Sequence, residues 1–338
     1  MIHNSPRWTR RNLIGTGAGL AAAAAIGRTA VAQTPVASPP ATSYPITVAH
    51  DGGETTLESQ PQRIVALEWH LVEDLLVMGI QPVAIADVEG FKTWVTIDVA
   101  LADDVQDVGT RQEPSLESLE AAEPDLILGL DYRDIAIYDS LAAVAPTILM
   151  SSYPQEDGVT PLENVRDRLR QEGWFLDNAE AVEAAIATMD AMIEDQAAEI
   201  DEAGLTGIPY VVTQMFTAEN QPTMRIFNDG ALIGDAISAT GLENVWTAEA
   251  DEWGFTTNTI ESFIEFPEDV NVFYIVNGSD DVLTEMLNDD PIWQSLSFVQ
   301  EGRFYPLGGD TWTFGGTQSV ERIVTRSTAQ ITGTASEA

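Results

Sequence analysis

Arg111 stands in Gly109-Thr110-Arg111-Gln112-Glu113-Pro114, just ahead of a helical pattern. A guanidinium there presents a fixed fork of donors that suits ligand oxygens. The bland alternative is a salt bridge, the default for an arginine in so acidic a chain. Large aromatics occupy other predicted loop positions. Trp69 follows the first strand, Trp94 lies in Phe91-Lys92-Thr93-Trp94-Val95, and Tyr132 follows an apolar strand. Trp253 sits in Asp251-Glu252-Trp253-Gly254-Phe255, and Trp312 and Phe314 lie in the glycine-flanked run 308–316. Any one of them is accounted for by ordinary packing, since large aromatics are mostly buried. As a set, several at strand ends or among glycines, they are less well accounted for by packing alone.

The signatures of catalysis are missing. The chain has no cysteine, which excludes disulfides, thiolate metal sites, cysteine nucleophiles and a lipid-modified cysteine. Of three histidines, His3 lies in the export segment, and His50 and His70 are too few for a histidine-rich metal site. G-x-S-x-G, H-E-x-x-H, P-loop and EF-hand patterns are absent downstream of the export segment. A cell-envelope enzyme would need a reactive Ser/His/Asp set, and the sequence does not assemble one. Carboxylates are so abundant that a chance pair resembling an acid/base couple carries no weight.

The 338 residues hold 15 basic and 54 acidic side chains, a net charge of −39. That field repels nucleic acid and anionic membranes. A solvating acidic surface, suited to high salt or an acidic proteome, is the simple reading; attraction of a cationic ligand is the other. Residues 1–32 read as a twin-arginine signal peptide. Arg10-Arg11 is followed by a small, apolar stretch from Leu13 to Ile26 and then by Ala30-Val31-Ala32, an A-x-A cleavage pattern. The apolar run is too short to span a bilayer. Cleavage there removes four arginines and no acid, taking the net charge to −43.

The elements that must position these residues follow. Residues 33–43 read as a flexible tether. From Tyr44 short apolar runs alternate with helical patterns: strands at 63–67, 83–86, 125–130 and 147–150, and helices at 70–78, 115–122 and 135–143. In 178–203, apolar residues recur at spacings of three and four from Val182 to Ile200, so one helix about 39 Å long is expected, enough to cross between lobes. After Pro209 the alternation resumes: strands at 209–215, 271–276 and 303–307, helices at 231–240, 259–265, 281–287 and 317–327. Ser115-Leu116-Glu117-Ser118-Leu119 echoes Thr259-Ile260-Glu261-Ser262-Phe263, and Met78-Gly79-Ile80 echoes Thr240-Gly241-Leu242 in the same order. The expected architecture is α/β: two Rossmann-like lobes with mainly parallel sheets joined by a single long helix, with a ligand cleft between them. The lobes span 44–165 and 205–330, the connecting segment 166–204, and a tail 331–338.

With these residues the chain resembles the siderophore- and cobalamin-type solute-binding proteins of ABC importers, within them the iron(III)-hydroxamate-binding branch. The resemblance rests on Arg63-Ile64-Val65-Ala66-Leu67-Glu68-Trp69, Trp94-Val95 and the stretch from Asp107 to Glu117. Trp253-Gly254, Pro291-Ile292-Trp293-Gln294 and Trp312-Thr313-Phe314-Gly315 carry it into the second half. It implies an extracytoplasmic receptor that captures an iron(III)-siderophore and delivers it to the permease dimer of an ABC importer. Arg111 and Tyr132 would bond the iron-coordinating oxygens. Trp69, Trp94, Trp253, Trp312 and Phe314 would form the cleft wall. Glu117 and Glu261 would dock, one per lobe, on permease arginines. The siderophore fills iron's coordination shell, so the protein needs no cofactor and no metal ligands of its own. Thr313 and Phe314 depart from the more aromatic or hydroxyl-bearing residues of the branch. Other chelates on the same fold are ferric citrate, cobalamin and haem. The implied protein is a periplasmic monomer, not a lipoprotein, with no nucleic-acid partner.

Overall fold

The computed structural model describes residues 42–335 apart from 155–157, 277–279 and 281. The twin-arginine segment, all of the tether but Thr42 and Ser43, and the end of the tail lie outside the described residues.

An antiparallel hairpin comes first, β1 (Ile46–His50) with β2 (Gly53–Leu57). The first lobe then lays β3 (Ile64–Ala66), β4 (Ala84–Ile85), β5 (Gln106–Asp107), β6 (Leu126–Leu130) and β7 (Thr147–Met150) into one sheet of order β5-β4-β3-β6-β7. Every pairing in it is parallel. The continuous apolar runs of β3, β6 and β7 follow from that: helices cover both faces, and every residue of these strands is buried.

The second lobe holds β8 (Pro209–Ala218), β9 (Gln221–Phe227), β10 (Glu243–Asn244), β11 (Phe255–Asn258), β12 (Asn271–Ile275) and β13 (Phe304–Pro306). The order is β11-β9-β8-β12-β13, with β10 alongside the start of β8. This sheet is mixed. β10, β11, β12 and β13 run in the direction of β8, whereas β9, between β8 and β11, pairs antiparallel with both. The antiparallel part comes from a tight hairpin at Glu219-Asn220, where both residues have positive φ, 49° and 61°. Sequence pattern placed a strand at 209–215 but did not reveal the returning strand β9.

The long helix is Ala179–Glu202, 24 residues. Val182 and Ile186 pack in the first lobe's core, and Met189, Ile193 and Ile200 in the second's. The three- and four-residue spacing thus keeps one apolar face pointed into both lobes. It is not alone. Pro161–Phe175 forms a helix started by a Thr160–Glu163 capping box with proline in the first turn. Its Leu162 and Val165 belong to the second core, and its Leu169 and Phe175 to the first. The lobes are therefore bridged by two helices, the first beginning within the span 44–165 expected for the N-terminal lobe. No helix among the described residues is long and apolar enough to cross a membrane.

Candidate ligand-binding site

Between the lobes lies a cavity of about 250 Å³. On its first-lobe side the lining residues follow the carboxyl ends of parallel strands: Glu68 after β3, Arg111 beyond β5, Tyr132 after β6, Ser152 and Tyr153 after β7. The sheet edge thus delivers side chains from four separate loops to one place.

Glu68 organises this side. It is 5% exposed and caps the Trp69–Val77 helix by accepting from the Trp69 backbone N–H at 2.8 Å. The same oxygen accepts from Arg111 Nη1 at 2.8 Å, and the other from Arg133 Nη1 at 2.7 Å. Arg133 also donates to the Leu67 carbonyl at 2.8 Å and to Asp134, whose carboxylate accepts from the Leu130 backbone N–H at 2.7 Å. The Arg111 guanidinium carbon lies over the Trp69 ring, 3.7 Å from its centroid, and 5.3 Å from that of Trp312. One donor is committed to Glu68, while Nε is buried without a partner. The guanidinium is thus fixed in orientation with donors to spare. Tyr132 is 44% exposed, its ring 5.8 Å from that of Tyr153. Burial, followed by the Glu68 charge, raises its phenol pKa, so at neutral pH the hydroxyl remains a donor.

The facing wall comes from the second lobe. Trp253 stacks on Phe255 at 5.8 Å and 20°, and Trp312 meets Phe314 edge-on at 5.5 Å. Trp253, Trp312 and Phe314 all line the cavity and none is fully buried. Arg225 on β9 stands among them. Its Nη1 donates to Gln214 at 3.2 Å, and its guanidinium lies 5.0 Å from the Phe255 centroid and 5.1 Å from that of Phe216. Burial lowers its pKa, opposed by Asp251. Sequence reading passed over this residue because the strand that carries it went unseen; the only local signal is the Glu219-Asn220 turn.

Deeper in, polar groups meet. His70 Nε2 and Ser152 Oγ are 2.5 Å apart, and Asp74 Oδ2 lies 4.0 Å from His70 Nδ1. This is a serine–histidine–aspartate juxtaposition that sequence reading did not assemble. It lacks the bonds of a triad: 4.0 Å is too long for a hydrogen bond, and Asp74 is committed to Arg168 at 2.9 Å. Burial, then the Arg168, Arg133 and Arg111 charges, hold the His70 pKa well below its usual value, so the ring is neutral at pH 7.

The expected site residues do not all share one role. Arg111, Tyr132, Trp253, Trp312 and Phe314 converge on the cavity. Trp69 does not line it: at 2% exposed, with its indole N–H donating to the Ala86 carbonyl at 3.2 Å, it is the platform under Arg111. Trp94 ends the Val88–Trp94 helix, packs against the first lobe's core and is not among the residues that line the cavity. Thr313, queried as a ligand contact, is 1% exposed. Glu117 and Glu261 are exposed in the first turns of short helices, Leu116–Ala121 and the 3₁₀ helix Ile260–Glu265. Ser115 caps the first at 3.2 Å, and the Thr259 hydroxyl donates to the Glu261 carboxylate.

Residues 64–311 match the periplasmic binding protein family. The chain belongs to that family. Its members are solute-binding proteins rather than enzymes, which agrees with a cavity built of stacking rings and fixed donors. The chain is 30% identical over 266 residues to the iron(3+)-hydroxamate-binding protein FhuD of Escherichia coli, spanning 78% of this chain and 85% of that protein. It is 26% identical over 280 residues to the Fe(3+) dicitrate-binding periplasmic protein FecB of the same organism, spanning 82% and 87%. Among solved structures, Fe3+–Desferal-bound FhuD of Vibrio cholerae shares the fold at a TM-score of 0.72 and 22% identity, covering 82% of this chain and all of that one.

Proposed function

We propose that the protein is the extracytoplasmic receptor of an ABC importer and captures an iron(III)-siderophore, hydroxamate-type by preference, in the interlobe cavity. The observation that carries this reading is Arg111, fixed by Glu68 over Trp69 with donors to spare and sharing the cavity with the Tyr132 hydroxyl. Oxygen atoms that already coordinate iron accept such bonds, and the aromatic wall takes the chelator's apolar arms. Among the described residues no group of three or more His, Asp or Glu side chains is placed to hold a metal, so iron would arrive inside its chelate. The FhuD relative supports a hydroxamate. The FecB relative supports ferric citrate as the second reading.

Glu117 and Glu261 are the proposed docking points, one per lobe, for a permease dimer with two basic pockets, and the receptor works as a monomer. Export is proposed through the twin-arginine segment 1–32. An unlipidated receptor is proposed, because the 338 residues contain no cysteine to carry the lipid that the names of two Bacillus subtilis relatives imply for those proteins. Titration of tryptophan fluorescence against ferric hydroxamates, ferric catecholates and ferric citrate tests the ligand. Saturable quenching by a ferric hydroxamate is expected, because Trp253 and Trp312 face the cavity. No response to any of the three classes would overturn the reading.

A further inference from the structure

The charge of the cavity is inverted relative to the rest of the molecule. The chain carries 54 acidic and 15 basic residues, yet among the described residues three arginines and a single carboxylate, that of Glu68, line the cavity. Two of the arginines are neutralised: Arg111 by Glu68 at 2.8 Å and Arg168 by Asp74 at 2.9 Å. Glu68 is fully spent, since Arg133 takes its second oxygen at 2.7 Å. Arg225 has no ion-pair partner among the described residues. Its polar contact is the neutral Gln214 amide, and its neighbours are the Phe216 and Phe255 rings. Asp251 lies near enough to act on its charge but forms no ion pair with it, so a half-buried guanidinium beside aromatic rings keeps a cost that a bonded Asp or Glu would have removed. The same arrangement turns that cost into affinity when a ligand supplies the anion, because a guanidinium bonds carboxylate oxygens as a two-pronged fork.

From this arrangement we infer that Arg225 selects the charge of the chelate: the cavity takes ferric chelates bearing an ionised carboxylate, seated against Arg225 on the second-lobe wall, over neutral or cationic ones. The inference rests on the ferric-chelate reading above and adds the substrate class. Arg111 and Tyr132 address oxygens around the iron from the first lobe, and Arg225 reads the periphery from the second. Burial depresses the Arg225 pKa, and the Asp251 charge opposes it without forming an ion pair, which agrees with a guanidinium that a ligand carboxylate can still pair. An anion has to approach through the protein's own negative field, so the attraction must be short-ranged and bonded rather than long-range steering.

A single scaffold isolates the charge. A linear ferric trihydroxamate whose terminal amine is left free, acetylated or succinylated is cationic, neutral or anionic with the same iron centre. Calorimetry of the full-length mature protein with all three is the test. The succinylated form is expected to bind about tenfold or more tightly than the acetylated one, the range of a charge-assisted hydrogen bond. Arg225→Gln should collapse that ratio toward one, while Arg225→Lys, which keeps the charge without the fork, should retain part of it. Equal affinity of the unmodified protein for the three forms would overturn the inference and leave ferric-chelate binding standing. So would a ratio that survives in Arg225→Gln. Failure to bind any of the three would overturn both readings. Because the first comparison uses the unmodified protein, it stands even if the glutamine variant does not fold.

Discussion

Replacing Arg111 by alanine tests the centre of the proposed site, and the structure sets both the size of the effect and the control. Nη1 is spent on Glu68, so the guanidinium has only its remaining donors to give a ligand. One charge-assisted hydrogen bond to an iron-coordinating oxygen contributes about 1.5–3 kcal/mol. At about 1.4 kcal/mol per decade the dissociation constant should rise roughly ten- to 150-fold. The loss should not come from unfolding. Without Arg111, Glu68 keeps the Trp69 backbone N–H at 2.8 Å and Arg133 at 2.7 Å, so its carboxylate stays paired and the helix stays capped. What also goes is the stacking of the guanidinium on Trp69, about 0.5–1 kcal/mol at a partly exposed site. Calorimetry with a ferric trihydroxamate reads the affinity, and circular dichroism with thermal melting verifies the fold. Arg111→Lys should recover only part of the affinity, since an ammonium lacks the planar fork. An alanine variant that melts normally and binds within about threefold of the parent would refute the argument, because that is well below the value of a charge-assisted bond.

Two further outcomes concern other parts of the molecule. Glu117→Arg or Glu261→Arg should abolish uptake in cells and leave chelate affinity unchanged, since both carboxylates are exposed and neither lines the cavity; normal uptake by the double reversal would show that they are helix-start acids only. Glu321→Gln should stabilise the protein at pH 8 and do little at pH 4.5. Burial first, then the Glu73 and Asp98 charges, raise the Glu321 pKa from 4.5 to about 7, so the folded state holds a proton that the unfolded state releases, and stability falls as pH rises through that window; a melting-temperature difference that does not change between the two pH values would contradict this.

What the sequence disclosed depended on whether the information was local. The strand at 147–150 emerges as read, because a fully buried parallel strand is an unbroken apolar run. The long helix emerges to within a residue at either end, because its period persists over 24 residues. β9 was hidden because a hairpin with Glu219-Asn220 lacks the usual glycine signal, and Arg225 was hidden with it. Trp69 and Trp94 show a different limit. Position after a strand or at a helix end says that a tryptophan is near a cleft, not which way its ring faces. That depends on contacts such as the Ala86 carbonyl, distant in the chain. The pairing of Glu68 with two arginines, 43 and 65 residues away, had no local signature at all.

The junction between the lobes bears on how the site can discriminate. Glu73, on the Trp69–Val77 helix and fully buried, accepts from the Ser319 backbone N–H at 2.8 Å and from its hydroxyl at 2.7 Å, binding the start of the Thr317–Thr332 helix of the other lobe. Gly315 and Gly316 make the approach possible: a Cβ on the first would lie 2.0 Å from Ser319 Oγ, and on the second 2.6 Å from Asp74 Oδ1. Beside them Arg168 pairs with Asp74, and burial, then the Asp74 charge, pushes the Glu172 pKa well up, which favours its protonated form in the junction. Opening the lobes widely would expose these carboxylates and arginine without their partners while pulling two helices out of two cores, a sum of losses at the costly end of what single contacts contribute. Large closure around a ligand is therefore disfavoured as the source of selectivity. A joint this fixed leaves discrimination to side chains already in place, and the two guanidiniums that line the cavity from the two lobes, Arg111 paired with Glu68 and Arg225 without an ion pair among the described residues, are the groups with the chemistry to do it.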